Sequence, residues 1–204
     1  MHISEGVLSG PILLAGGALT VVGTAIGLKK MDYDHVMTVA LVAAAFFVAS
    51  LIHVNAGPAS VHLILNGLAG VMLGWAAFPA ILTGLLLQAI LFQYGGLSAL
   101  GVNTFDMAGP AVLCYYMFRP LLAKGMGGKS LAAFGCGFCA VLLAALFTAV
   151  ALTASDEGFL TSAKVLVVAH LPVMVIEGFV TMFAYGFLAK VKPDLLMLKE
   201  GGNA

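Results

Sequence analysis

The sequence predicts an all-α membrane protein with about seven transmembrane helices. Of its 204 residues, 62% are hydrophobic and only 9% are charged, and the mean hydropathy of +1.10 is far above that of a soluble globular domain. The apolar residues also form long runs that approach or reach the roughly 20 residues a transmembrane helix needs. A third observation is that the cations are unevenly distributed between loops. Lipid is therefore the expected surrounding of this chain.

Seven apolar runs divide the chain into predicted helices within one membrane domain, residues 1–204. A short segment, residues 1–9, precedes them. The runs cover residues 10–28, 36–54, 60–76, 78–94, 103–123, 131–154 and 162–189. We separate the third run from the fourth at residues 74–79 because one unbroken helix would be much longer than the usual range of about 17 to 25 residues.

The cations predict the orientation of the chain in the membrane. Only Lys164 falls in a loop on one side of a seven-helix arrangement, and eight of the nine Lys and Arg residues fall on the other. Those eight are Lys29, Lys30, Arg119, Lys124, Lys129, Lys190, Lys192 and Lys199. Because cytoplasmic loops are enriched in Lys and Arg, we expect a cytoplasmic C-terminus and an outer N-terminus in a multi-pass protein of the plasma (inner) membrane.

Several classes of function are not supported by the sequence. Nine cations balance nine anions, so the basic excess that a nucleic-acid-binding protein uses to neutralise phosphates is missing. Gly128-Lys129-Ser130 is similar to the end of a phosphate-binding loop, but the first glycine of that motif would fall on Ala123, and a strand does not precede it. We therefore expect this chain to bind no nucleotide. The first residues lack the features of a cleaved signal, so Met1 is expected to remain.

The histidines concentrate on the predicted outer side. His2 lies at the N-terminus, His53 at the end of the second helix, His62 at the start of the third and His170 early in the seventh. Only His35 falls in a cytoplasmic loop, where a solvated role is expected. Polar residues inside a membrane are costly and are therefore functional candidates, although a single buried histidine can equally serve packing.

His2 has a chemistry that depends on its position in the chain. The Met1 amine, the His2 amide nitrogen and the His2 imidazole can close two fused chelate rings on one metal ion. Tetragonal nitrogen sites suit Ni(II) and Cu(II), and an imidazole from His62 or His53 could fill the fourth corner. The alternative is a frayed terminus in which His2 is incidental.

Two helical faces carry the other candidates. His62, Asn66, Gly70 and Gly74 recur at intervals of four residues, which would place them on one face of a helix. Asn66 could orient a ligand, or the face could be a close helix contact.

The seventh predicted helix carries His170 and Glu177 on one face, and Glu177 could lock helices together or act as a base. Asn103 and Asp106 open the fifth helix, where Asp106 could complement the helix dipole.

Three blocks of the sequence resemble one family of membrane proteins. Residues 1–6, Met-His-Ile-Ser-Glu-Gly, resemble the start of the CbiM/NikM family, the substrate-capture subunits of energy-coupling-factor cobalt and nickel transporters. Residues 88–107 resemble its central signature. Residues 169–181 and 190–193 are similar to its C-terminal helix. Together these blocks span most of the chain.

This resemblance implies a seven-helix fold whose N-terminus inserts into the bundle and binds Ni²⁺ or Co²⁺ as the transported substrate. The ligands would be the Met1 amine, the His2 amide and imidazole nitrogens, and His62. The implied partners are a transmembrane coupling subunit, ATPase subunits and a small accessory membrane subunit, with membrane lipid around the chain. The chain itself would be a binding subunit and not an enzyme. It departs from the family pattern at Ser60-Val61 and at Asn66.

Two other classes of function remain as alternatives. A proton-coupled secondary transporter would use His170 and Glu177 as a proton relay, although the inner halves of the predicted helices are almost entirely apolar. A membrane metalloenzyme or haem protein would use His53, His62 and His170 as ligands, without the chain terminus.

Overall fold

The computed structural model describes residues 2–51, 53–56, 59–123 and 128–196, and for residues 53–56 and 59–61 it describes the backbone alone. Met1 and the side chain of His53 lie outside the described residues, as do Lys124 and Lys199. The α-helices of the described chain are α1 Gly10–Lys30, α2 Val36–Ala49, α3 Asn66–Leu73, α4 Ala77–Phe92, α5 Leu100–Ala123, α6 Lys129–Ser155, α7 Leu160–Ala169 and α8 Leu171–Val191. The strands β1 His53–Ala56 and β2 Ala59–His62 form an antiparallel pair.

Four helical stretches of the described chain are long and apolar enough to cross a membrane: Gly10–Lys30, Asn66–Phe92, Lys129–Ser155 and Glu157–Val191. Two further helices are weaker candidates for crossing the membrane by length and composition. Helix α5 has 24 residues, but it carries two prolines and several polar side chains. Helix α2 has only 14 residues. The long apolar helices support the prediction of a helical membrane protein.

The prediction of seven separate helices is wrong. Within the described residues, the long helical stretches number six: residues 10–30, 33–49, 66–92, 100–123, 129–155 and 157–191, the last of which is interrupted by a turn at His170. The predicted third and fourth helices are joined, because a turn of 3₁₀ helix, Gly74–Ala76, connects α3 to α4. The chain still bends at the predicted place, since Gly74 ends α3 with φ of 54°, a conformation that favours glycine.

The predicted ends of the second and third helices are also wrong. His53 and His62 lie on strands β1 and β2, where their Cα atoms are partners across the pair. The sequence between the strands contains Gly57-Pro58, a dipeptide that interrupts helices. His62 is therefore not on a helical face with Asn66, and Gly74 lies at a helix end and not on that face.

The predicted seventh helix is divided in two at His170, which ends α7 and precedes α8. Pro172 lies at the start of α8. Because proline has no backbone N–H, it cannot donate a hydrogen bond to the carbonyl group four residues earlier. This break places His170 at a junction of helices and not within one.

Close packing of small residues brings the centre of the bundle together. A Cβ atom on Gly67 would lie 2.6 Å from the Cα atom of Gly137 in α6, and one on Gly70 would meet the carbonyl oxygen of Ala111 in α5. Such contacts are typical of helix interfaces in membranes. They seat the eight-residue helix α3 deep between α5, α6 and α8, so the residues just before it are held inside the protein.

Candidate metal-binding site

The N-terminal segment is folded back into the helical bundle. The side chain of His2 is only 4% exposed and that of Ile3 is fully buried. The backbone N–H of Ile3 donates a hydrogen bond of 2.8 Å to Oδ1 of Asn103, and Nδ2 of Asn103 donates one of 3.1 Å to the carbonyl oxygen of Ile3. The Asn103 amide thus satisfies both polar groups of Ile3 and fixes the backbone next to His2.

The loop between α4 and α5 covers the N-terminal segment. Gly95 and Gly96 have φ of 77° and 88°, a region that side chains disfavour. A Cβ atom on Gly95 would lie 2.9 Å from Nδ2 of Asn103, and one on Gly96 would lie 2.8 Å from Cβ of Glu5. The Ser98 N–H donates to Oε1 of Glu5 over 3.1 Å. Two glycines therefore allow the loop to lie directly against the segment that carries His2.

Gln88 in α4 determines which nitrogen of His2 carries the proton. Its Nε2 donates to the carbonyl oxygen of Phe47 at 3.0 Å and to Oγ of Ser50 at 2.5 Å. A carbonyl oxygen can only accept, so the Oε1 atom of Gln88 must face His2, and it lies 2.8 Å from His2 Nε2. His2 Nε2 is then the donor, and Nδ1 carries the lone pair. Nδ1 is the nitrogen that can form a chelate ring with the backbone amide of the same residue.

His62 is oriented by its own neighbouring backbone. Its Nδ1 atom lies 2.7 Å from the carbonyl oxygen of Leu63, so Nδ1 donates and Nε2 carries the lone pair with which the ring can bind a metal. The centroids of the His2 and His62 rings are 4.5 Å apart, with 39° between the ring planes. The structure therefore brings together two buried imidazoles that are predicted to be ligands.

The separation of the two rings is the value expected for neighbouring corners of one metal site. Imidazole nitrogens bind divalent metals at about 2.0 Å, so each ring centroid lies about 3.1 Å from the ion and two rings at right-angled corners are about 4.4 Å apart. Rings at opposite corners would be about 6 Å apart. The observed 4.5 Å fits an arrangement in which His62 lies beside the His2 imidazole and opposite the His2 amide nitrogen.

Two other candidates lie in the chain that follows His62 or contact it. Asn66 is fully buried, and its Nδ2 donates to the carbonyl oxygens of Met107 at 3.3 Å and Ala140 at 3.1 Å. Glu177 is also fully buried, and its Oε1 accepts hydrogen bonds from the backbone N–H groups of Ile64 and Leu65. Asn66 thus joins the start of α3 to α5 and α6, and Glu177 holds the two residues just before α3.

The remaining candidates are placed differently. His170 is fully buried and its Nδ1 lies 2.8 Å from the carbonyl oxygen of Leu166; helix α7, which it ends, contacts the strands β1 and β2.

Asp106 accepts a hydrogen bond of 3.1 Å from Oγ1 of Thr148 in α6. It lies seven residues into α5, so its predicted role at the helix N-terminus is wrong. The described residues contain no group of three His, Cys, Asp or Glu side chains that could hold a metal.

Sequence reasoning missed Gln88, Tyr94 and Ser50. Gln88 is fully buried, and the ring of Tyr94 lies 6.3 Å from that of His2 between centroids. An amide within an apolar helix is a signal that could have identified Gln88, since an unpartnered amide is costly inside a membrane. Its partner could not have been identified, because His2 is 86 residues away in the chain.

Replacing Gln88 with Leu is expected to weaken metal binding by about 10- to 100-fold, because it removes the acceptor that fixes the proton on His2 Nε2. Isothermal calorimetry with Ni²⁺ measures the change. Thr83→Val is the matched control, since Thr83 lies on the exposed side of the same helix and hydrogen-bonds only to its own helix within the described residues. Equal affinity in Gln88→Leu and the unmodified protein would contradict this role.

Comparison with known proteins identifies a family and several relatives of this chain. A family described as the cobalt uptake substrate-specific transmembrane region matches residues 2–195. A Haemophilus influenzae protein, described as a candidate metal transport protein, is 45% identical over 203 residues, 98% of each chain. The fused nickel transport protein NikMN of Rhodobacter capsulatus is 42% identical over 120 residues, 55% of this chain and 35% of that protein.

A solved structure has the same fold. It is described as a transition metal transporter and matches with a TM-score of 0.83 and 30% identity, covering 94% of this chain and 93% of that one. The helical bundle and these similarities together define a multi-pass membrane protein of metal transport. The chain belongs to the CbiM family, the cobalt uptake substrate-specific transmembrane proteins.

Proposed function

We propose that this protein captures one Ni²⁺ or Co²⁺ ion in a planar site of four nitrogens for uptake into the cell. The ligands are the Met1 amine, the amide nitrogen and Nδ1 of His2, and Nε2 of His62. The observation that carries the proposal is the pair of buried imidazoles, 4.5 Å apart, one of which belongs to the second residue of the chain. The hydrogen bonds of both rings leave the lone pair on the nitrogen that this arrangement requires.

The donor set and the names of the relatives together favour these metals. A tetragonal field of nitrogen ligands suits Ni(II) and Cu(II) and is unlike the tetrahedral sites of Zn(II). The family takes its description from cobalt uptake, and the fused Rhodobacter capsulatus relative is named for nickel. Both ions accept the same nitrogen donors, and affinity rises from cobalt to nickel.

We further propose that the chain forms one membrane domain with the metal site facing outside. Helices α1, α5 and α8 all begin nearer the site, and their far ends carry Lys29, Lys30, Arg119 and Lys190. Lys30 lies over the ring of Trp75 at 5.3 Å from its centroid, beyond the far end of α3. The positive-inside rule places that end in the cytoplasm.

The sequence of this chain carries no nucleotide-binding motif, so energy for uptake would come from other subunits or from an ion gradient. We propose that a transmembrane coupling subunit, ATPase subunits and a small accessory membrane subunit supply the energy and the release step. The nickel relative supports this view, since it is a fused protein of which the matched region makes up only 35%. In this scheme the chain binds and does not catalyse.

Titration of the purified protein with Ni²⁺ and Co²⁺ tests the proposal. The protein should carry a tag only at its C-terminus, so that the Met1 amine stays available. We expect one ion per chain by calorimetry and a nickel absorption spectrum typical of planar nitrogen coordination. A protein that binds neither ion would refute the proposal. A spectrum typical of octahedral oxygen coordination would also contradict it.

A further inference from the structure

A carboxylate in the middle of α8 holds the backbone that follows His62. Glu177 is fully buried, and its Oε1 atom accepts hydrogen bonds from the N–H groups of Ile64 and, at 2.7 Å, of Leu65. These two residues lie just before α3, where helical N–H groups have no partner within the helix. The contact therefore joins α8 to the chain between His62 and α3.

The backbone at this contact has a conformation that needs such support. Leu65 has φ of 53°, in the left-handed region that residues with side chains disfavour. The hydrogen bond from its N–H to Glu177 restrains this conformation. Residues 63–65 lie in neither a helix nor a strand. The carbonyl oxygen of Leu65 accepts a hydrogen bond of 2.8 Å from the N–H of Ala69 in α3, and Glu177 accepts from the N–H groups of Ile64 and Leu65.

A single peptide unit connects Glu177 to the ring of His62. The N–H of Ile64 and the carbonyl group of Leu63 belong to the same planar unit. Glu177 accepts a hydrogen bond from the N–H of that unit. The carbonyl oxygen of the same unit, which belongs to Leu63, accepts one of 2.7 Å from Nδ1 of His62. Because the unit is rigid and its two groups point in opposite directions, a carboxylate that fixes one end also fixes the acceptor at the other. Linked hydrogen bonds of this kind also strengthen each other.

We propose that Glu177 is a positioning residue for metal binding, which orients the His62 imidazole through the peptide unit between Leu63 and Ile64. This inference rests on the proposed function, since it assigns the role of the ligand to His62. Because Glu177 belongs to α8 and the restrained segment precedes α3, the metal affinity depends on how α8 lies against α3. The carboxylate acts on the ligand without touching the ion.

Three variants of Glu177 test this role by nickel calorimetry and absorption spectroscopy on the full-length protein. Glu177→Met removes the acceptor at similar size and is expected to weaken nickel binding about 10- to 100-fold, as for other residues that orient a metal ligand. Its nickel spectrum should shift toward that of His62→Ala. Glu177→Gln retains an oxygen acceptor and should bind nickel nearly as the unmodified protein does. If the Met variant does not fold, Glu177→Asp, whose side chain is one methylene shorter, replaces it in this test.

A double-mutant cycle separates positioning from general stability. In the His62→Ala background, Glu177→Met should cause no further loss of nickel affinity, because the ring that Glu177 orients is absent. Thr181→Val is the matched control, since Thr181 is equally buried and lies one turn further along α8. This control should leave the nickel affinity and spectrum unchanged.

The outcomes distinguish this inference from the proposed function. Glu177→Met with the affinity of the unmodified protein would overturn the inference, and so would an equal loss of affinity with and without His62. Glu177→Gln as weak as Glu177→Met would show that charge matters and not the acceptor, which also overturns it. If the unmodified protein binds no nickel, or His62→Ala leaves binding intact, the proposed function itself fails.

Discussion

Two residues added before Met1 are expected to abolish nickel and cobalt binding while leaving the fold intact. The addition converts the proposed amine ligand into an amide of the chain and removes one of the two fused chelate rings. Loss of a direct ligand should cost more than the roughly 10- to 100-fold of an orienting residue. Calorimetry with each ion measures the loss.

The control is the same two residues added after Ala204, far from the proposed ligands in the sequence. Thermal unfolding without metal should be alike in the two proteins, because the hydrogen bonds between Ile3 and Asn103 remain possible. Undiminished affinity in the N-terminally extended protein would contradict the chelate. It would move the site to internal histidines and favour the secondary-transporter or metalloenzyme alternatives.

His62→Ala is expected to lower nickel affinity by more than about 100-fold, again beyond the effect of an orienting residue. The three nitrogens of Met1 and His2 would remain, and water would fill the fourth corner. The absorption band should therefore move to lower energy, as expected when a weaker ligand replaces a nitrogen donor. Titration with nickel, followed by both heat and absorption, measures affinity and ligand field in one sample.

His35→Ala is the matched control for this variant, because His35 lies at the other side of the predicted membrane. It is hydrogen-bonded to Asp32 at 3.0 Å. This control should leave binding unchanged. An unchanged nickel spectrum in His62→Ala would contradict the proposed fourth ligand and point to His53. His170→Ala should have a smaller effect than His62→Ala, and a loss as complete would make His170 a ligand.

The proton-relay alternative assigns a different use to Glu177. In the structure, one oxygen of this carboxylate accepts two backbone N–H groups next to His62. These hydrogen bonds hold the backbone that follows the proposed ligand His62. The inference that Glu177 positions His62 therefore gives the buried acid a role within metal capture, and the Glu177→Gln variant distinguishes the roles because a glutamine cannot relay protons as a carboxylate does.

The sequence by itself determined the class of protein. Long apolar runs identify membrane helices because a helix satisfies its own backbone hydrogen bonds and needs no distant partner. The family membership predicted from residues 1–6, 88–107 and 169–181 is confirmed by the match over residues 2–195. The chelating potential of His2 could also be predicted, since it depends only on adjacent atoms of the chain.

Only the tertiary structure decided how the candidate site is built. Gly57-Pro58 and Pro172 mark in the sequence where helices are interrupted, but the strand pair that carries His62 and the packing of the helical runs depend on contacts between distant residues. His2 meets Gln88 from 86 residues away, and Ile64 meets Glu177 from 113 residues away. Buried polar groups must find partners wherever packing brings them, so each pairing is a property of the folded bundle. The sequence determined which groups could bind a metal, and the packing of α3, α5, α6 and α8 decided which of them lie together.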